Sequence, residues 1–116
     1  LTHILTQKES VDSVIVLPPS GLRDNYWRVV KKNKGIVVVL TDNAQNILNR
    51  IKFFDIDSKP INKQLTDEGK KYYLKDIKKD ITYFNRTYKK ADISVNISGL
   101  NPDQASMKVK KTLENL

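Results

Sequence analysis

The chain has no cysteine, one histidine, one tryptophan and one methionine among its 116 residues. Without cysteine, disulfides and thiolate metal sites are excluded, and the sequence fits a reducing compartment such as the cytoplasm. With one histidine, His3, and no thiol, a nucleophilic triad is all but excluded. No apolar run approaches the roughly 20 residues that a membrane-spanning helix needs. Glycine is scarce, at four residues. None of the four is set in a phosphate loop, a dinucleotide-binding turn or a nucleophile elbow. Acidic residues are outnumbered 13 to 21 by lysine and arginine, which gives a net charge of +8. The lysines are spread through the chain and interleaved with Asp and Asn. A solvated basic surface is therefore the first reading, ahead of a nucleic-acid footprint. The chain begins at Leu1 and holds only Met107, so a processed or truncated piece is expected.

What is present alternates between strand-like and helix-like stretches. Leu1, Ile4 and Leu5 suggest a helix end over Leu1–Ser10. Ser13–Leu17 is an apolar run closed by Pro18 and Pro19, expected as a strand buried on both faces. Ser20 is a candidate cap for a helix to about Asn33, with Leu22, Tyr26, Val29 and Val30 inward, Trp27 as packing and Gly35 at its end. Ile36–Leu40 reads as a second doubly buried strand, followed by a helix over Ala44–Lys52 with Ile47, Leu48 and Ile51 inward. Residues 53–65 lack a period and read as a loop, in which Asp55 and Asp57 are turn residues rather than a cation site.

Thr66–Ala91 carries the clearest pattern. Leu74, Ile77, Ile81, Phe84 and Tyr88 fall on one helical face, Thr66 caps the start, and acidic and basic residues suit the two ends. Asp92–Ser98 alternates, with Ile93, Val95 and Ile97 on one face, as an edge strand does. Asn101 followed by Pro102 starts a last helix, with Ala105, Val109, Leu113 and Leu116 inward. This order predicts an α/β fold, a parallel sheet between helical layers (α/β/α). Two doubly buried strands among three want further neighbours, from upstream or from a second chain.

From Val14 to Leu116 the chain resembles the C-terminal part of the shikimate kinase family of P-loop phosphotransferases. Val14–Leu17 looks like the strand leading to the family's glycine triplet, and Gly35–Leu40 like the next strand. Ser58-Lys59-Pro60-Ile61 is similar to the lid, and Arg86-Thr87-Tyr88-Lys89-Lys90-Ala91-Asp92 to the arginine, tyrosine and Ala-Asp signature. The resemblance implies an incomplete P-loop kinase-like fold, residues 1–116 being the C-terminal part of one domain that lacks its β–P-loop–α portion. It implies ATP and Mg²⁺ as cofactors of the intact protein, none of them bound tightly by this portion alone, and a small anionic acceptor. It makes Lys59 the catalytic lid cation, Arg86 the acceptor's carboxylate ligand, Ser20 and Gly21 acceptor neighbours, and Arg50, Asn101 and Pro102 the border of the adenine.

The sequence also departs from the family. Leu17-Pro18-Pro19-Ser20-Gly21 stands where the glycine triplet does, Arg86 lies only two residues before Tyr88, and Lys59 stands for an arginine. The leading expectation is part of an ATP-dependent phosphotransferase, inactive as this portion alone because it lacks the phosphate cradle. The alternative is a non-catalytic, ligand-sensing domain of the same fold in a transcriptional regulator. A basic nucleic-acid-binding domain ranks third.

Overall fold

A computed structural model describes residues 12–33 and 35–116. The helix end expected over Leu1–Ser10, and His3 with it, lie outside the described residues. The described residues hold four helices and four short strands. In chain order they are α1 (Asp24–Lys32), β1 (Val38–Thr41), α2 (Ala44–Arg50), β2 (Phe53–Phe54), β3 (Pro60–Ile61), α3 (Asp67–Tyr88), β4 (Ile93–Asn96) and α4 (Pro102–Glu114). The mixed helix and strand composition is as expected, with a small parallel sheet formed by β1 and β4. No described helix is long and apolar enough to cross a membrane.

Packing divides the chain into two compact units, Leu1–Val39 with Phe84–Ser94, and Leu40–Tyr83 with Val95–Leu116. In the first, Leu22, Val30 and Val39 form the buried cluster, covered by Leu17, Trp27, Val37, Tyr88 and Ala91. Trp27 is thus packing, as expected, and Lys90 stands 5.5 Å over its ring while donating to the Leu22 carbonyl. Burial pushes the Tyr88 phenol above its ordinary value of 10.0. At the start of the sheet, the Val37 carbonyl accepts from the amides of Asp92 and Ile93, and the Asp92 carboxylate accepts from the Val37 amide at 2.7 Å.

In the second unit Ala44, Leu48 and Val95 are the buried residues. The sheet continues there as the Ile97 amide donates to the Thr41 carbonyl at 2.9 Å. Asn43 caps α2, its side chain accepting from the Asn46 amide. Thr66 caps α3 as the sequence predicts, through the Gly69 amide. Asn101 caps α4 with a reciprocal box: its side chain accepts from the Gln104 amide while the Gln104 side chain accepts from the Asn101 amide. Pro102 follows at the first helical position, where a missing N–H costs nothing.

Several expectations fail. Ser13–Leu17 is not a strand, and Val14 and Val16 in it are 95% and 90% exposed. Ile36–Leu40 is not doubly buried. The strand is Val38–Thr41, only Val39 in it is buried, and Ile36 and Leu40 are more than half exposed. Ser20 does not cap α1. The Pro18 carbonyl is taken by the Gly21 amide and the Ser20 carbonyl by the Arg23 amide, so tight turns use up residues 18–23. Arg23 then occupies the cap position without a side-chain capping bond, and Tyr26 is exposed. Helix α2 stops at Arg50, leaving Ile51 at its cap and partly exposed. Helix α3 stops at Tyr88, short of Ala91.

The loop over 53–65 contains a small antiparallel pair, Phe53 opposite Ile61 and Phe54 opposite Pro60. Its turn hangs on Asp55, whose carboxylate accepts from the amides of Asp57 and Lys59, with Ser58 at φ 62°. Leu116 lies beyond the end of α4 and is exposed. The inward face predicted for α3 is half-buried along its length, with no residue fully buried.

That difference in depth has a measurable outcome. Leu22→Ala, at a site only 4% exposed, should cost about 2–5 kcal/mol in urea unfolding. Ile81→Ala, on the half-buried face of α3, should cost clearly less than Leu22→Ala in the same assay.

Candidate functional site

In open α/β sheets ligands collect at the carboxyl ends of the strands. Here β1 and β4 run parallel, and their carboxyl ends carry the densest polar cluster of the second unit. Asp42 leaves β1, and its side chain is only 3% exposed. Three donors converge on its Oδ1: the Ser98 hydroxyl at 2.7 Å, the Asn46 amide group at 2.9 Å and the Asn43 backbone amide at 2.7 Å. Oδ2 faces the Arg50 guanidinium in an ion pair. The same Arg50 Nη2 lies 3.4 Å from the Ile97 carbonyl at the end of β4. That carbonyl also accepts from the Leu100 amide, in the turn that delivers Asn101 and Pro102. Lys108 on α4 donates to the Asn96 carbonyl, adding a second cation at this end of β4.

Burial by itself pushes the Asp42 carboxyl up. The bonds from Ser98, Asn46 and Asn43, with the charge of Arg50, outweigh it and hold the group below its ordinary value of 3.8. A carboxylate with three donors on Oδ1 and a cation against Oδ2, which accepts no hydrogen bond among the described residues, is an anchor and not a general base. Arg50 is different: 43% of its side chain is exposed, so its guanidinium is fixed on one edge and open on the other.

The other residues singled out by sequence fall as follows. Lys59 is exposed at the end of the β2–β3 turn, its backbone amide held by Asp55. Asn101 uses its side chain in the capping box, and Pro102 is exposed beside it. Arg50, Lys59, Asn101 and Pro102 belong to the second unit, and the Ile97–Leu100 turn links Arg50 to Asn101. Ser20, Gly21 and Arg86 belong to the first. Arg86 is exposed in the last turn of α3. Gly21 is buried in the turn after the prolines, where a Cβ would stand 2.6 Å from the Leu17 Cβ. A side chain cannot be placed there without moving that turn.

Asp42, Asn46 and Ser98 were not singled out from the sequence. The signal for two of them is a spacing of four, 42 to 46, with Arg50 four further on, although Asp42 stands before the Asn43 cap and outside α2. Ser98, 56 positions from Asp42, has no such local sign. No group of three metal-binding side chains occurs among the described residues, and the Asp55 carboxylate is engaged by its own turn. No protein-family model, curated protein or solved structure matches the chain.

The depressed titration of Asp42 sets an acid limit. Its bonds stabilise the fold fully above pH 3.8, and that contribution is lost as the pH falls below it towards the folded pKa. Asp42→Asn should therefore unfold at lower urea than the parent near neutral pH. The gap between the two should shrink as the pH is taken down to about 3.

Proposed function

We propose that the chain is part of a small-molecule phosphotransferase of the shikimate kinase type, with a three-layer α/β/α arrangement around its parallel strands. The observation that carries this reading is Arg50, a guanidinium fixed at the carboxyl ends of two parallel strands and half open to solvent. In this reading Arg50, Asn101 and Pro102 border the adenine of ATP, consistent with the Ile97 carbonyl that joins Arg50 to the turn before Asn101. Lys59, on an exposed hairpin, reaches the phosphates as a mobile point charge, and Arg86 takes the carboxylate of the acceptor. These residues bind, orient and supply positive charge. The described residues contain no phosphate cradle, so transfer itself needs groups beyond them.

One observation favours a second reading, a non-catalytic sensor of the same fold. The turn Pro18–Gly21 has two residues without an N–H, and its Gly21 amide is already bonded to the Pro18 carbonyl at 2.8 Å. Few donors remain there to hold an acceptor in place for transfer. Binding without turnover would then be the role.

Calorimetric titration with ADP and, separately, with shikimate tests the assignment. Arg86→Lys should weaken shikimate binding about tenfold and leave ADP within about twofold. Equal loss of both in the intact protein would overturn the reading. Binding of both with no ATP turnover would favour the sensor.

A further inference from the structure

We infer that Asp42 is a positioning residue: its buried carboxylate clamps one edge of the Arg50 guanidinium across the ends of β1 and β4, so that the opposite edge is presented to an anionic or planar ligand. The identity of that ligand as a nucleotide rests on the reading above. The clamp itself rests on geometry.

Arginine has five N–H donors in a rigid fork and loses much rotamer freedom when it is ordered. On a surface that ordering is lost to solvent unless something holds the group. Here Nη2 donates to the Ile97 carbonyl at 3.4 Å and is held by charge against the Asp42 Oδ2, an oxygen that accepts no hydrogen bond among the described residues. Among the described residues, Nη1 and Nε make no hydrogen bond. The holder is itself immobile, because three donors from β1's turn, from α2 and from beyond β4 converge on its other oxygen. With Oδ1 fully bonded, the carboxylate cannot rotate to follow a moving guanidinium. Charge and direction are therefore set before a ligand arrives, which lowers the cost of binding. A carboxylate there to stabilise the fold alone would be served by the three neutral donors. The half-exposed guanidinium is what a binding role adds.

The test uses the full chain in four forms: parent, Asp42→Asn, Arg50→Ala and the double variant. Each is titrated with ADP, and Arg50 is followed by NMR of ¹⁵N-labelled arginine. Asp42→Asn should weaken ADP binding about tenfold in the parent and add no further loss in the Arg50→Ala background. Slow rotation of the Arg50 guanidinium should be seen in the parent and lost in Asp42→Asn. The same affinity loss in both backgrounds, or a guanidinium signal unchanged by Asp42→Asn, would overturn the inference. If the parent does not bind ADP, the nucleotide reading fails and the NMR signal alone decides the clamp. Should Asp42→Asn not fold, Ser98→Ala removes one bond to Oδ1 and keeps the charge; it should reproduce the loosening of Arg50 with a smaller loss of affinity, and an unchanged Arg50 would overturn the clamp.

Discussion

A single buried carboxylate organises the second unit. Asp42 receives donors from its own turn, from α2 and from Ser98 beyond β4, and it pairs with the cation that closes α2. Burying a charge is costly unless it is paired: three donors meet Oδ1, while Oδ2 accepts no hydrogen bond among the described residues and has the charge of Arg50, so the site holds only while these partners stay in place. This ties the start of α2, its last residue and the end of β4 to one point. The hydrophobic contribution nearby is modest, with Ala44, Leu48 and Val95 as the buried residues of that unit. Polar connectivity thus fixes the register of elements that a larger core would fix elsewhere.

The first unit is held differently. Its cluster of Leu22, Val30 and Val39 is apolar, and its polar contacts are mostly with the backbone: Lys90 to Leu22, and Asp92 to Val37. The positive charge of Lys90 lies against the Trp27 face, so this exposed cation also covers part of the core. The high net charge of the chain is therefore not one surface property. Some of its cations are structural, and Arg50 and Lys108 are drawn to the ends of the strands.

Helix caps and periodic faces were legible in the sequence. Thr66 and Asn101 with Pro102 announce α3 and α4 because a cap is a local hydrogen bond, fixed within three residues. The alternation over Asp92–Ser98 gave β4 for the same reason. The errors fall where an apolar run was taken as proof of burial. Val14 and Val16 are as β-prone as Val38 and Val39, yet pairing depends on a partner distant in sequence. Arg50 was legible as a cation out of place in a lysine-rich chain. Its holder was half legible through the spacing of four from Asp42, and Ser98 was not, since only the fold brings it near. The roles suggested for Lys59, Arg86, Ser20 and Gly21 came from resemblance, and geometry gives only their surroundings.

The stretch Ser13–Leu17 has a further consequence. It is uncharged and β-branched in large part, with its two valines almost wholly in solvent. Those are the traits of a segment that templates intermolecular strands. Pro18 and Pro19 follow at once and cannot donate to such a ladder, so any cross-chain pairing that starts here is halted on that side after a few rungs. The two prolines that make the turn unsuited to cradle an anion therefore act as gatekeepers against self-association.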